Sequence, residues 1–180
     1  MVKTVLVACC AVWLAACSPT FDWRPVAFGQ SGAAGVLPDT PQTQTRAVPF
    51  EDQSLDLTMR TAKAGGVLFA LGAASLPPAL ADDAHARHRL AHWALEALYR
   101  NVGATPPAPD ADPQQRVVFE GRGPDGQVHV EAQIKVTATE WLEAVVIAGP
   151  DDRVRAVDDF WLSLRWPDGP ASTGSAGSLP

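Results

Sequence analysis

Cysteine is scarce in this sequence, and all of it lies at one end of the chain. Cys9, Cys10 and Cys17 are the three cysteines among 180 residues. Disulfide bonds across the body of the chain are therefore excluded, and so is a catalytic thiol beyond residue 17. A domain formed by the later residues has to be stable through its hydrophobic core alone.

Positive charge is also in short supply. The chain has 14 lysines and arginines against 20 aspartates and glutamates, which gives a formal net charge of -6 at pH 7. A surface with this balance repels phosphate backbones, and phosphate contacts dominate the affinity of proteins for nucleic acids. We therefore expect no nucleic-acid partner.

No apolar run is long enough to cross a bilayer as a helix. The run from Thr4 to Leu14 is about half the roughly 20 residues that a spanning helix needs. It follows a single positive charge at Lys3 and precedes the small residues Ala15 and Ala16. This layout is typical of a secretory signal peptide.

The end of this run, Leu14-Ala15-Ala16-Cys17, resembles a bacterial lipobox. The resemblance implies cleavage between Ala16 and Cys17, and it implies acylation of Cys17. Two or more acyl chains hold a protein stably on a lipid bilayer. Ser18 in the second mature position implies sorting to the outer membrane, with the protein facing the periplasm. An ordinary cleavable signal peptide is the alternative interpretation.

The sequence after the signal divides into a short tether, one domain and a tail. We expect a signal peptide over 1–16, acylated Cys17 with a tether over 17–22, and a single α+β domain over 23–166. Residues 167–180 consist mainly of Gly, Ser and Pro and are predicted to be disordered. The proline-rich stretch 104–113 is interpreted as a loop within the domain.

Strand patterns dominate the predicted domain. Alternating or continuous short apolar runs, separated by Gly, Pro and Asp turns, predict eight strands. They cover Trp23–Phe28, Ala33–Leu37, Thr43–Val48, Leu55–Arg60, Val67–Ala74, Arg116–Glu120, Val128–Val136 and Trp141–Ala148.

Two helices complete the pattern. A long helix is predicted from Pro78 to Asn101, ended by Gly103, with a buried stripe of Leu80, Ala84, Ala91, Leu95, Leu98 and Val102. A short helix is predicted after Asp151-Asp152, with Val157, Phe160, Trp161 and Leu164 on one face.

This order predicts the α+β class, with an antiparallel sheet packed by one long and one short C-terminal helix. Val36-Leu37-Pro38-Asp39-Thr40-Pro41 and Asp159-Phe160-Trp161-Leu162-Ser163-Leu164 resemble two motifs of the PsbP-like fold. The resemblance implies a docking or assembly scaffold of the envelope. It transfers no catalytic residues, and a fold does not fix a function.

Two sequence patterns could indicate ligand-binding sites, but ordinary secondary structure explains each of them better. Gly121-Arg122-Gly123-Pro124-Asp125-Gly126 matches G-x-G-x-x-G, but Pro124 removes an amide and a strand follows, so it predicts a hairpin turn. His88, His92 and Glu96 are spaced so that they could approach one metal ion. The segment lacks the glutamate of H-E-x-x-H, so a solvated helix flank is the favoured interpretation and no metal is expected.

Trp93 and Leu90 form a different kind of candidate. Both are predicted to lie away from the buried stripe of the long helix, where an exposed tryptophan flanked by leucine could bind a protein partner. Coverage of Trp93 by the proline-rich loop or by the tail is the equal alternative.

Taken together, these patterns favour a non-enzymatic envelope lipoprotein that binds a protein partner or helps an assembly, without a cofactor. Its partners would be the bilayer, through acylated Cys17, and an envelope protein. A small-molecule or metal-binding lipoprotein is the alternative.

Overall fold

The structure is a computed structural model that describes residues 20–150 and 155–167. The signal peptide, the cleavage site after Ala16, the acylated Cys17, the start of the last helix at Asp151-Asp152 and the tail from residue 168 lie outside the described residues.

The described part of the chain contains eight strands and three helices. The strands are β1 (Arg24–Ala27), β2 (Ala34–Leu37), β3 (Gln42–Phe50), β4 (Gln53–Ala64), β5 (Val67–Ser75), β6 (Val117–Gly123), β7 (Gly126–Val136) and β8 (Glu140–Ala148). The helices are α1 (Pro78–Ala81), α2 (Ala84–Asn101) and α3 (Arg155–Ser163). The α+β class and all eight predicted strands are confirmed.

Six of the strands form one antiparallel sheet in the order β3-β4-β5-β8-β7-β6, and β1 pairs with β2 in a separate hairpin. The central strands β5 and β8 pair over most of their length, with Leu71 opposite Ala144. Both are buried on both faces, which explains why their sequences are nearly continuous apolar runs. The mostly polar strand β3 lies at one edge of this sheet.

The six-stranded sheet is covered on both faces, so the molecule has three layers. One face, which includes Leu142 and Val146 of β8, packs against the β1–β2 hairpin and α3. The opposite face, which includes Trp141, packs against α2. Side chains of successive strand residues point to opposite faces, so β8 contributes to both cores.

The long helix is interrupted, which corrects the prediction of one helix over 78–101. Asp83 has extended backbone angles (φ -110, ψ 107), and its Oδ1 accepts hydrogen bonds from His85 N at 2.8 Å and Ala86 N at 3.2 Å. An aspartate in this arrangement caps the N-terminus of a new helix. The predicted end is confirmed, because Gly103 follows the helix with φ 62.

The buried face of α2 is wider than the predicted stripe and is rotated from it. Ala84 is exposed, whereas Leu90 is fully buried. Trp93 is half-buried, with ring centroids 5.6 Å from Phe50 and 6.2 Å from Trp141. Leu90 is therefore not part of an exposed partner surface, which corrects its predicted position, because residues of the β3–β4 edge of the sheet pack against this flank of the helix.

The G-x-G-x-x-G match is a β-hairpin, as predicted. β6 ends at Gly123 and β7 begins at Gly126. Gly121 allows the end of α2 to approach β6, since a Cβ there would lie 2.8 Å from the carbonyl oxygen of Val102. The backbone N–H of Arg122 donates to that same oxygen at 2.7 Å.

Among residues 20–150 and 155–167, no helix combines the length and the apolar character that crossing a bilayer requires.

The capping role of Asp83 predicts a stability difference between two adjacent aspartates. Asp83→Ala should lower the melting temperature, because two N–H groups of the first turn lose their acceptor. Asp82→Ala is the matched control and should have little effect, since the Asp82 side chain makes no hydrogen bond with the described residues. Thermal unfolding at pH 7 measures both variants, and equal melting temperatures would contradict the cap.

The stabilisation that this helix cap contributes should depend on pH. Hydrogen bonds from the backbone N–H groups of Ala86 and His85 hold the pKa of Asp83 below its ordinary value of 3.8. A carboxyl whose pKa is depressed by folding stabilises the protein above its unfolded pKa and loses this effect as the pH falls. The difference in stability between wild type and Asp83→Ala should therefore shrink below about pH 4.

Candidate functional site

Two glutamates interrupt the apolar sequence of the central strand β8. Glu140 is 2% exposed and Glu143 is 4% exposed. Burying a carboxylate costs free energy unless hydrogen bonds or opposite charges compensate it. The surroundings of these two side chains therefore decide what each of them does.

The carboxylate of Glu140 accepts three hydrogen bonds, and this gives it a structural role. Its Oε2 accepts from Ser31 N at 3.0 Å, and its carboxylate also accepts from Ser31 Oγ and Gln30 N. These groups belong to the turn between β1 and β2. Glu140 thus fastens the β1–β2 hairpin to the end of β8.

Glu143 has no such donors. Within residues 20–150 and 155–167, no hydrogen-bond partner contacts its carboxylate. The side chain lies over Gly72 of β5, where an added Cβ would be 2.6 Å from Glu143 Cγ and 2.5 Å from Met59 Sδ. Gly72 therefore leaves the space that this carboxylate occupies beneath α2.

Burial changes the acidity of this group. Loss of contact with water raises the pKa of Glu143 from 4.5 to about 7, and the positive charge of Arg46 opposes the shift. The carboxyl therefore exchanges its proton near neutral pH. A group perturbed by burial in this way, with a specific charged neighbour, is typical of functional sites.

A small cavity of about 40 Å³ adjoins Glu143. Trp141 also lines it, and the indole Nε1 of Trp141 is buried without a hydrogen-bond partner in the described part of the chain. A cavity of this size has room for a water-sized polar group. Glu143 and Trp141 thus line the same small space.

The cavity continues outward into a groove of about 320 Å³ between β3 and α2. Cavity and groove share five lining residues: Arg46, Val48, Trp93, Ala97 and Asn101. Ala47, Pro49 and Arg100 line the outer part alone. We call the groove together with its inner cavity the β3–α2 groove.

The outer end of the β3–α2 groove carries positive charge. Arg46 forms no ion pair with any residue that the structure describes. Arg100 pairs with Glu96 one helical turn earlier, with 3.0 Å between Nη1 and Oε2. Arg46 lines the inner cavity as well as the outer groove, so this positive side chain, the Glu143 carboxyl and the half-buried indole of Trp93 border one space.

His88 and His92, which the sequence suggested as possible metal ligands, contact each other in the structure. The rings of His88 and His92 meet edge-on with centroids 4.6 Å apart, while Glu96 binds Arg100. In residues 20–150 and 155–167, no group of three His, Cys, Asp or Glu side chains could hold a metal ion. These residues lie on the flank of α2, where Arg89 also binds Glu51 through two hydrogen bonds.

A second polar cluster lies on the opposite face of the sheet. His129 is 5% exposed, with Nδ1 2.8 Å from Glu120 Oε1 and Nε2 3.4 Å from Glu131 Oε1. A cleft of about 370 Å³ adjoins it and is lined in part by Arg155 and Asp158. All three side chains of this cluster have partners, whereas Glu143 has no hydrogen-bond partner among the residues that the structure describes.

Sequence patterns alone did not identify Glu143, although a signal was present. Glutamate is almost never buried unless it is paired, so its appearance within an apolar strand is unusual. The run Glu140-Trp141-Leu142-Glu143-Ala144 carries two such residues within an otherwise apolar stretch. Only the structure distinguishes them, because the donors to Glu140 come from a segment distant in the sequence.

Comparison of the chain with protein-family models, with curated proteins and with solved structures gave no match.

Replacement of the two β8 glutamates should have opposite effects on stability. Glu143 binds its proton at a higher pH in the folded chain than in the unfolded one, so stability falls as the pH rises from 4.5 to about 7. Glu143→Gln removes the buried charge and should raise the free energy of unfolding at pH 8 by about 1–3 kcal/mol. At pH 4.5 the gain should nearly vanish, because the carboxyl is already protonated when folded.

Glu140→Gln is the matched control on the same strand. It should lower the free energy of unfolding at pH 8 by about 2 kcal/mol, since three donors lose a charged acceptor. Urea unfolding of both variants at the two pH values measures these effects. Destabilisation by Glu143→Gln at pH 8 would contradict an uncompensated buried carboxylate.

Proposed function

We propose that this protein is a lipid-anchored lipoprotein of the bacterial envelope whose domain binds a small molecule in the β3–α2 groove without catalysing a reaction. The anchor is supported by the lipobox-like Leu14-Ala15-Ala16-Cys17, which precedes a folded domain by only a few residues. Acylated Cys17 holds the domain on the outer membrane, facing the periplasm.

One observation carries the binding role: the buried Glu143, whose carboxyl has no hydrogen-bond partner among the described residues, lines the inner cavity of an open groove. Small-molecule sites are typically concave and largely apolar, with a few placed polar groups that fix the orientation of the ligand. A ligand that offers a hydrogen-bond donor to Glu143 gains that bond in a largely desolvated space, where it is strong.

The lining of the groove supports binding rather than catalysis. Acid–base and nucleophilic mechanisms need a reactive group oriented by a second titratable group. Among the described residues, Glu143 is the one carboxyl in the lining, and no histidine, serine or cysteine accompanies it. Arg46 and Arg100 are suited to holding a ligand by charge.

Protein docking is the second candidate. It is supported by the resemblance of two short motifs to the PsbP-like fold, which implies an assembly scaffold. Leu162 of α3 is 85% exposed and Val118 of β6 is 57% exposed, and both belong to the layer opposite α2. An envelope protein that covers these apolar side chains would use a surface separate from the β3–α2 groove.

The anchor is tested by Cys17→Ser. Without the thiol no diacylglyceryl group can be attached, so the variant should leave the membrane fraction or accumulate as an unprocessed precursor. Ser18→Ala is the matched control and should keep wild-type fractionation. Fractionation and metabolic labelling with a fatty acid report both, and unlabelled wild-type protein would overturn the lipoprotein assignment.

The binding function is tested by thermal unfolding of the full-length protein in detergent with a library of polar metabolites. A ligand that binds only the folded state raises the melting temperature by mass action. We expect at least one compound class to raise the melting temperature of wild type but not of Glu143→Gln. A library that shifts neither protein would overturn the binding function.

A further inference from the structure

We propose that Phe21, Trp23 and the β4–β5 turn at Gly65–Gly66 dock on the headgroup region of the bilayer that holds the acylated Cys17. We call these residues the N-terminal aromatic surface. This inference rests on the lipid anchor of the proposed function and is independent of the β3–α2 groove. It gives the domain a fixed orientation on the membrane.

The aromatic pair is packed onto the folded domain. The rings of Phe21 and Trp23 stack with their centroids 5.8 Å apart, and Trp23 meets the buried ring of Phe69 edge-on at 6.0 Å. The backbone N–H of Asp22, between the two, donates to the carbonyl oxygen of Pro38 at 2.8 Å. A membrane that binds this pair therefore orients the whole domain.

The outer side of the pair is open. Phe21 and Trp23 are only partly buried, and the Phe21 ring lies beside the exposed β4–β5 turn, where an added Cβ at Gly65 would be 3.0 Å from Phe21 Cζ. The indole N–H of Trp23 donates to no group in the described ranges and, unlike that of Trp161, is not enclosed. Tryptophans with an apolar body and an accessible N–H are enriched where a membrane meets water.

The length of the chain before this surface makes the bilayer its occupant. Cys17 precedes Phe21 by four residues. An extended chain spans at most about 3.6 Å per residue, so the acylated cysteine lies no more than about 14 Å from Phe21. The polar layer on each side of a bilayer is roughly 5–8 Å thick. With so short a connection, the segment that follows the anchor meets the headgroups first.

The charges that flank the N-terminal aromatic surface are balanced. Asp22 pairs with Arg24 at 2.6 Å, the exposed Lys63 precedes the β4–β5 turn, and the exposed Asp39 lies in the turn after β2. These four charges cancel, whereas the chain as a whole has a net charge of -6. Anionic headgroups attract basic side chains and repel acidic ones, so a locally neutral surface can approach them.

The proposal is tested by fluorescence of the lipidated protein, purified in detergent and reconstituted into vesicles of phosphatidylethanolamine and phosphatidylglycerol. Lipids brominated near the headgroup end of their acyl chains quench an indole only at short range. We expect them to quench wild type, and Trp23→Phe should lose most of this quenching while it stays on the vesicles. Trp93→Phe is the matched control and should keep the quenching, because Trp93 packs on the opposite face of the sheet. Thermal unfolding verifies that both variants are folded.

A longer connection to the anchor distinguishes binding by this surface from proximity alone. Insertion of about ten Gly and Ser residues after Pro19 lets the domain move away from the bilayer. The anchor still keeps the surface at a high effective concentration near the lipid, so the quenching of Trp23 should persist. Loss of the quenching in the insertion variant would overturn docking, because the short connection alone would then hold the domain at the membrane.

The outcomes separate this inference from the anchor beneath it. Wild-type protein that carries acyl chains and floats with the vesicles, but whose quenching Trp23→Phe leaves unchanged, overturns docking while the anchor stands. The N-terminal aromatic surface would then be left to a second copy of the chain or to an envelope protein. Wild-type protein that carries no acyl chain and does not float with the vesicles overturns both proposals.

Discussion

Burial of two adjacent central strands on both faces is the constraint on which the rest of this structure depends. β5 and β8 lie in the middle of the six-stranded sheet, with α2 on one side and the β1–β2 hairpin with α3 on the other. In a chain whose thiols all lie before residue 18, stability has to come from these two packed layers. Any polar side chain placed on β8 therefore enters an environment with almost no water.

The two glutamates of β8 show how partners decide the role of such a side chain. Glu140 receives three hydrogen bonds from the β1–β2 turn and becomes part of the scaffold. Glu143, three residues later, points to the opposite face, beneath α2, and receives none from the described residues. Its pKa is raised to about 7, so it is a carboxyl maintained at a cost in stability. Such a cost is common where a site is organised for a ligand.

Much of the fold could be predicted because it depends on local patterns. Period-two alternation and short continuous apolar runs located the strands. The errors arose where tertiary contacts override a local pattern. Asp83 divides a helix that periodicity alone makes continuous, because its carboxylate satisfies the first N–H groups of α2. Leu90 is buried because the β3–β4 edge extends beneath it, and helical spacing contains no information about where a sheet ends.

The sequence by itself determined the positions of the strands along the chain, the α+β class and the absence of disulfides from the domain, since these follow from composition and periodicity. It also carries the lipobox-like segment, which is read from adjacent residues. Only the tertiary structure decided the site. The β3–α2 groove joins Arg46, Trp93 and Glu143 from three elements that are distant along the chain, and their proximity follows from packing α2 on the sheet. Whether a buried carboxyl has a partner is a property of that packing.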